Sequence, residues 1–167
     1  MKQWIAVAAV VVSMSASGSA QASTVKYDYD KSVDFTAWKS LAWKPSGPSG
    51  GTLAEGRIRR ALAAGFAAKG YTMVDASSAD FLVAHHAAAR RDLRVSESFS
   101  RGFGRDLRVD SVPVGFLVVD VFERRTGKLA WRGMVSDALA SNPEKADKRT
   151  EKAVAKLLEK FPPAGDS

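Results

Sequence analysis

The most constraining feature of this chain is a pair of apolar segments joined by a tight turn, over residues 114–135. Residues 116–122 are apolar or β-branched except for Asp120, which is typical of a strand that is buried on both faces. Arg125, Thr126 and Gly127 follow and suit a three-residue loop, because Gly adopts the left-handed conformation at its end without a steric penalty. The segment is therefore predicted to form a β-hairpin on which the other elements pack.

The three-residue loop also predicts which residues of the hairpin lie opposite each other. Because opposed residues share a face of the sheet, Val121 and Trp131 are expected to face the core, while Asp120 meets Arg132 on the other face. A two-residue Thr-Gly loop would instead separate Asp120 from Arg132. The predicted pairs, starting at the loop, are Glu123 with Leu129, Phe122 with Ala130, Val121 with Trp131, and Asp120 with Arg132.

Asp120 has two interpretations. A carboxylate in an apolar strand can be a catalytic acid or base, because carboxylates with perturbed pKa values gather at functional sites. The opposite charge of Arg132 across the strands favours an ion pair that fixes the register. The ion pair is the preferred interpretation, and a hydrolase-like enzyme that uses Asp120 and His85 as its acid–base pair is the alternative.

His85 and His86 are the two histidines of the chain. They are adjacent in a predicted interior strand at 81–89, so their side chains are expected to point to opposite faces. Common metal sites need several convergent ligands, and the chain has no cysteine. It also lacks a catalytic triad motif and a phosphate-binding loop. We therefore expect no metal, no cofactor and no enzymatic activity.

The first 22 residues have the pattern of a secretory signal peptide. Lys2 precedes a nine-residue apolar stretch at 4–12, and Ala20-Gln21-Ala22 is a cleavage site of the small-x-small type. The apolar stretch is shorter than the roughly 20 residues of a transmembrane helix, so the mature chain is predicted to start at Ser23. We expect a periplasmic protein, at most peripheral to the outer membrane, and not a lipoprotein because it has no cysteine.

Without Lys2, the chain has 24 Lys and Arg against 18 Asp and Glu, a net charge of +6. A positive field favours anionic partners such as lipid head groups or acidic polymers of the envelope, although the charge can also serve solubility alone. Nucleic acid is not an expected partner of an exported protein.

Two helices are predicted from capping residues and apolar stripes. Thr52 and Glu55 form a capping box at the start of the first, which carries Ile58, Leu62 and Phe66 at spacings of four and ends near Gly70. Asn142, Pro143 and Glu144 start the second, which runs to about residue 161. The predicted fold is α+β, a mostly antiparallel sheet with both helices packed on one face. The side chains of the second helix that are predicted to face the sheet are Ala146, Ala153, Val154, Leu157, Leu158 and Phe161.

Residues 90–111 form a charged segment that interrupts the apolar pattern. The pentapeptide Arg-Asp-Leu-Arg-Val occurs at 91–95 and again at 105–109, on either side of a Ser/Gly-containing tip. The two copies suggest an extended hairpin or a flap, and a variable loop is the other interpretation. Because functional contacts gather on loops, this segment is the predicted contact surface for a partner. The candidate residues are Arg90, Arg91, Arg94, Phe99, Arg101, Phe103, Arg105 and Arg108.

With these elements in order, the chain resembles the DUF4136 family of exported bacterial proteins. The resemblance covers nearly all of 23–163, which implies a single domain followed by a disordered tail at 164–167. It supplies no catalytic residues. The motifs that carry it include Tyr27-Asp-Tyr-Asp, Ala79-Asp-Phe-Leu-Val-Ala-His85, Thr126-Gly-Lys-Leu-Ala-Trp-Arg-Gly133 and Pro143-Glu-Lys145. The basic segment at 90–111 and the outer side of the first helix instead predict a non-enzymatic binding or accessory module of the envelope, with a protein or an anionic lipid or polymer as partner. A purely structural or stress-related envelope protein is a further alternative.

Overall fold

A computed structural model describes residues 23–44, 52–99, 105–138 and 142–162 of the chain. The predicted signal peptide and the tail at 164–167 lie outside these ranges. The described residues form an α+β fold, as predicted, with six strands and two helices. The elements are β1 (Thr24–Tyr29), a 3₁₀ turn (Phe35–Ala37), β2 (Ser40–Trp43), α1 (Leu53–Ala68), β3 (Thr72–Met73), β4 (Phe81–Phe99), β5 (Arg105–Glu123), β6 (Leu129–Ala138) and α2 (Pro143–Leu158).

The sheet has the strand order β1-β6-β5-β4-β2-β3 and is mixed rather than mostly antiparallel. The neighbours β1, β6, β5 and β4 pair antiparallel, but β2 runs parallel to both β4 and β3. The physical reason for this correction is the position of α1 in the chain. It follows β2 and carries the chain back, so that β3 starts from the same end of the sheet as β2, as in any crossover between parallel strands.

Both helices pack on one face of the sheet and enclose a single core. Ile58, Leu62 and Phe66 of α1 are buried, as the predicted stripe requires. The predicted caps also form: the hydroxyl of Thr52 accepts from the N–H of Glu55, and Asn142 caps α2. Phe161, just after α2, lies at the centre. Its ring contacts Phe35, Phe66, Tyr71, Phe81 and Trp131.

The β5–β6 hairpin has the predicted register in its strands but a different turn. Val121 pairs with Trp131 and Asp120 with Arg132, as predicted. Phe122, however, pairs with Leu129 and not with Ala130, and Glu123 bonds to Lys128 rather than pairing with Leu129, so the predictions at these two pairs are wrong. The loop contains four residues, 124–127, because the N–H of Glu123 donates to the carbonyl of Lys128.

A bulge at Ala130 compensates for the longer loop. Its extra residue restores the register at Trp131, and a bulge lets two consecutive residues escape strict alternation. Ala130 and Trp131 are accordingly both buried. Gly127 has a φ of +69°, so the left-handed conformation predicted for it is confirmed.

β4 and β5 are the two longest strands, with 19 residues each, and they pair along their whole length. β6 follows β5 only to Val114, which pairs with Ala138. Beyond this point, nine pairs from Arg91–Pro113 to Phe99–Arg105 continue as a two-stranded ribbon, here called the arm. At about 3.3 Å per residue the arm extends for roughly 30 Å. Most of the charged segment at 90–111 lies on it.

Candidate functional site: a groove at the base of the arm

A groove of about 710 Å³ lies where the arm meets the body of the protein. Its floor is the helix-facing side of β4 and β5, and its walls are the N-terminal halves of α1 and α2. Much of the lining is apolar and small, and includes Ile58, Ala87, Ala89, Leu117, Val135 and Ala153. The groove is open at the surface, so it suits an elongated ligand or a segment of another chain better than an enclosed small molecule.

The groove arises from a change in side-chain size along β4. Under the helices, Phe81 and Val83 reach the core and are buried. Further along the same face, Ala87 and Ala89 are exposed, and Ala89 pairs with Gly115, which has no side chain. These small residues therefore leave open space between the sheet and the helices.

The two helices are joined across this region by an ion pair. Nε of Arg57 in α1 lies 2.7 Å from Oδ1 of Asp147 in α2. Arg57 lines the groove, so the ion pair holds together the two elements that form its walls. Since both side chains keep contact with water, this pair contributes at most about 1 kcal/mol to stability.

His85 lies on the groove side of β4, at the end nearest α1. Its ring meets the ring of Trp43 edge-on at 6.0 Å, and the guanidinium of Arg59 lies 4.8 Å above the same Trp43 ring. Burial lowers the pKa of His85 below its usual range, and the nearby Glu55 carboxylate opposes this effect. His85 is therefore neutral at pH 7 and can both donate and accept a hydrogen bond.

Asp120 and Arg132 form the predicted ion pair on the opposite face of the sheet. Nε and Nη2 of Arg132 donate to Oδ1 and Oδ2 of Asp120 at 2.6 and 2.8 Å. Asp120 is only 3% exposed, and its hydrogen bonds raise the pKa of Arg132. Because His85 pairs with Val119, a core residue adjacent to Asp120 in β5, His85 and Asp120 point to opposite faces. The structure does not bring this candidate acid–base pair together.

Two of the predicted partner-binding residues have described, exposed side chains: Arg90 and Arg91 at the base of the arm. Arg90 forms an ion pair with Asp92 at 2.7 Å, and its guanidinium lies 4.5 Å above the ring of Phe116. Arg101 and Phe103 lie outside the described residues. The backbone register places the other four candidates on the arm, in the pairs Arg94–Asp110, Ser96–Arg108 and Phe99–Arg105.

The sequence prediction missed the apolar part of this surface. The apolar run at 81–89 predicted an interior strand, but β2 pairs with β4 only as far as Val83. Leu93 and Val109 on the arm are 74% and 59% exposed. The available signal was side-chain size, since a row of alanines fills little of the space between a sheet and a helix.

Two further observations limit the chemistry of the described residues. In these ranges, no three or more His, Asp or Glu side chains converge as metal ligands would. None of the helices in the same ranges is both long enough and apolar enough to cross a bilayer.

Comparison with solved structures shows which known folds this chain is similar to. It is similar to the crystal structure of a PDZ domain protein from Parabacteroides distasonis, with a TM-score of 0.58 and 13% identity. That match covers 85% of this chain but 36% of the other, so this chain spans about a third of that protein. It is also similar to PelC from Paraburkholderia phytofirmans, solved as a dodecamer, with a TM-score of 0.51 and 11% identity over 82% of this chain and 96% of PelC. At these identities the likeness shows the fold alone.

A search of curated protein sequences finds no match. A comparison with protein families matches residues 25–163 to the family described as a domain of unknown function, DUF4136. The match includes all six strands and both helices of the described residues, except Thr24 at the start of β1. The resemblance noted in the sequence is thus confirmed, and the chain belongs to the DUF4136 family.

Proposed function

We propose that this protein is an exported, non-enzymatic binding module of the cell envelope, and that it contacts its partner through the arm and the groove. The observation that carries the proposal is the extension of β4 and β5 by nine pairs beyond the last partner strand. An isolated two-stranded ribbon is only marginally stable in water. A ribbon with exposed Leu93 and Val109 beside an open apolar groove is a surface that gains stability when a partner covers it.

The proposed partner is another envelope protein, and an anionic envelope component is the second candidate. The apolar side chains of the arm and groove favour a protein. The net charge of +6 without Lys2, with the exposed Arg90 and Arg91 at the base of the arm, favours an anionic surface. The two candidates differ in salt dependence, because screening weakens contacts between exposed charges far more than apolar contacts.

The non-enzymatic part of the proposal is supported by the separation of Asp120 from His85. Asp120 is occupied by two hydrogen bonds from Arg132 on one face of the sheet, while His85 lines the groove on the other. A proton-transfer pair must lie within hydrogen-bond reach of one substrate.

Truncation of the arm tests this proposal. Replacing residues 91–113 by Asn-Gly connects Arg90 to Val114 through a two-residue turn and so closes the hairpin at this pair. The truncated and full chains are then compared for sedimentation with envelope fractions of the source bacterium, at low and at high salt. The proposal expects the truncated chain to stay in the supernatant; equal sedimentation of both would overturn it.

A pair of charge variants separates the two candidate partners. The double substitution Arg90→Glu and Arg91→Glu changes the net charge by four, and Lys148→Glu with Lys152→Glu on the exposed side of α2 is the matched control. An anionic partner predicts loss of sedimentation for the first variant only, and release of the unaltered chain at high salt. A protein partner that contacts the apolar side chains predicts sedimentation that survives high salt.

A further inference from the structure

Among the described residues, the sheet has four free edges: the outer sides of β3 and β1, which are short or obstructed, and the sides of β4 and β5 that continue beyond β2 and β6. β3, at one end, has two residues. β1, at the other end, has six, and the N–H of Tyr29 is occupied by the carboxylate of Asp28 at 2.9 Å. The third edge is β4 itself: β2 pairs with it only from Phe81 to Val83, and among the described residues no other strand follows.

Hydrogen bonds at the start of β4 show which backbone groups point to this edge. The carbonyl of Val83 accepts from the N–H of Lys44, on the β2 side, and the carbonyl of Asp80 accepts from the N–H of Arg124, on the β5 side. Successive residues of a strand direct their N–H and C=O groups to alternate sides. The N–H and C=O groups of His85, Ala87, Ala89 and Arg91 therefore point to the free edge.

Pro113 gives an independent check and shows how the opposite side of the ribbon differs. It pairs with Arg91, and proline has no N–H to donate. Its nitrogen must face away from β4, toward the β6 side of β5, where the pairing with β6 ends at the Val114–Ala138 pair. The free edge of β5 thus carries a proline at its first position, and proline is a common device against unwanted strand pairing. β4 has no proline in its 19 residues.

We propose that the edge of β4 from His85 to Arg91 accepts an extended segment of another polypeptide as an added strand. This inference rests on the proposed binding function and specifies how the partner is held. In this mode of recognition, main-chain hydrogen bonds supply affinity and alternate side chains supply specificity. The edge is preformed here, because β5 and β6 support β4 over this stretch. Ala87 and Ala89 leave room for β-branched side chains beside the groove.

Charge decides between a partner segment and a second copy of this chain. If two copies paired antiparallel about Ala88, His85 would lie opposite Arg91 and His86 opposite Arg90. Neither pair offers Arg90 or Arg91 an opposite charge, whereas opposite charges across strands stabilise a sheet. A segment with acidic residues at alternate positions would instead meet Arg91 with an opposite charge. The expected occupant is therefore an acidic, β-branched segment of a different protein.

Amide hydrogen exchange of the mature chain, followed by NMR, tests the geometry and the occupant together. The probes are the peptide acetyl-Thr-Glu-Val-Glu-Val-Glu-Thr-amide and its counterpart with Lys in place of Glu. Without peptide, the amides of His85, Ala87 and Ala89 are expected to exchange faster than those of His86 and Ala88, which face β5. Saturation with the acidic peptide slows the exchange of the first set about fivefold or more, which corresponds to about 1 kcal/mol for each new hydrogen bond.

Two proline variants supply the matched control. Ala89→Pro places proline on the free edge of β4, and Ser111→Pro places it on the free edge of β5; neither removes a hydrogen bond between the two strands. Ala89→Pro is expected to weaken binding of the acidic peptide about tenfold, through one lost hydrogen bond and a steric clash. Ser111→Pro leaves binding unchanged.

Several outcomes would overturn the inference. They are protection of the edge amides in the free chain, no binding of the acidic peptide, equal binding of the Lys peptide, and equal effects of the two prolines. A dimer that Ala89→Pro abolishes would instead identify a second copy as the occupant. If truncation of the arm abolishes envelope sedimentation but Ala89→Pro does not, strand addition fails while the proposed binding function stands.

Discussion

The helix-covered part of the sheet and the arm are formed by the same two strands, yet they differ in almost every physical respect. Near α1 and α2, Val83 of β4 and Val121 of β5 pair with each other and are fully buried. In the arm, Leu93 and Val109 lie on the same side of the ribbon and are largely exposed. A strand sequence thus specifies pairing and alternation, but burial depends on what lies above the strand.

This difference concentrates stability in one region and recognition in the other. The covered face holds a cluster of aromatic rings around Phe161, where burial and edge-to-face contacts both contribute. The arm has neither a third strand nor a helix over it in the part of the chain that the structure describes. We expect the covered face to determine the free energy of unfolding, and the arm to contribute little.

The largest effect is expected at the centre of the covered face. Phe161→Ala removes a fully buried ring and leaves a cavity among the other aromatic side chains, which should lower the free energy of unfolding by about 3–5 kcal/mol. Urea denaturation followed by Trp fluorescence measures this loss. A loss below 1 kcal/mol would show that the ring cluster does not hold the fold.

On the other face, the Asp120–Arg132 pair is expected to contribute through the buried carboxylate. Arg132→Ala leaves Asp120 buried without a partner and should cost about 1–3 kcal/mol. Asp120→Asn, which removes the charge and leaves the half-exposed Arg132 to water, is expected to cost less. The two variants are compared by urea denaturation at pH 7. An Asn variant less stable than the Ala variant would contradict this account.

Gly133 lies in β6, where the ring of Trp131 and the side chain of Leu157 from α2 pack closely against the strand. A Cβ atom there would come within 2.1 Å of the Trp131 ring and 2.7 Å of Leu157, so Gly133→Ala should cost about 1–3 kcal/mol through overpacking. Gly56→Ala in α1 is the matched control: nothing lies within 4 Å of its added Cβ, and helix propensity predicts a gain of about 0.5–1 kcal/mol. Thermal unfolding of the two variants should therefore shift in opposite directions.

Asp80 joins β4 to β2 and gives stability a dependence on pH. The N–H of Lys39 and the N–H and hydroxyl of Ser40 donate to its carboxylate at 2.8 Å each and hold the pKa of Asp80 below its usual value of 3.8. Because the folded state then binds the proton less readily than the unfolded state, this stabilisation is complete above about pH 4. It is lost as the pH falls through the lower pKa of the folded state.

Asp80→Asn tests this sign. The variant should be less stable than the unaltered chain at pH 7 by about 1–2 kcal/mol, because its hydrogen bonds lose their charge assistance. The gap should narrow as the pH falls from 4 to 2, as measured by urea denaturation at each pH. A gap that widens on acidification would contradict the assigned direction.

The smallest effect is expected in the arm. Replacing residues 91–113 by Asn-Gly should change the free energy of unfolding by less than about 1 kcal/mol, because the ribbon is a marginal structure by itself. The midpoint of urea denaturation is the measurement. A loss comparable to that of Phe161→Ala would show that the arm belongs to the folding core, and the contrast between the two regions would disappear.

Local chemistry alone determined much of this protein. The capping residues Thr52 and Asn142, the apolar stripe of α1 and the Asp120–Arg132 pair followed from spacing, because hydrogen bonds at helix ends and the alternation of strands are short-range effects. The motifs also identified the family. The errors at Glu123 and Phe122 arose because a four-residue loop with a bulge and a three-residue loop give the same register from the Val121–Trp131 pair onward.

Only the tertiary structure decided the parallel pairing of β2, the groove and the free edge of β4. Each depends on where elements distant in sequence come to lie: α1 as a crossover, both helices over one half of a long ribbon, and the pairing of β2 with β4, which extends only to Val83. The alanines at 87 and 89 would be interior residues if a helix lay close above them. They line an open groove because the nearest helices do not reach the floor there. Their small size is a local signal, but the distance from the strand to the helices depends on the packing of the whole fold.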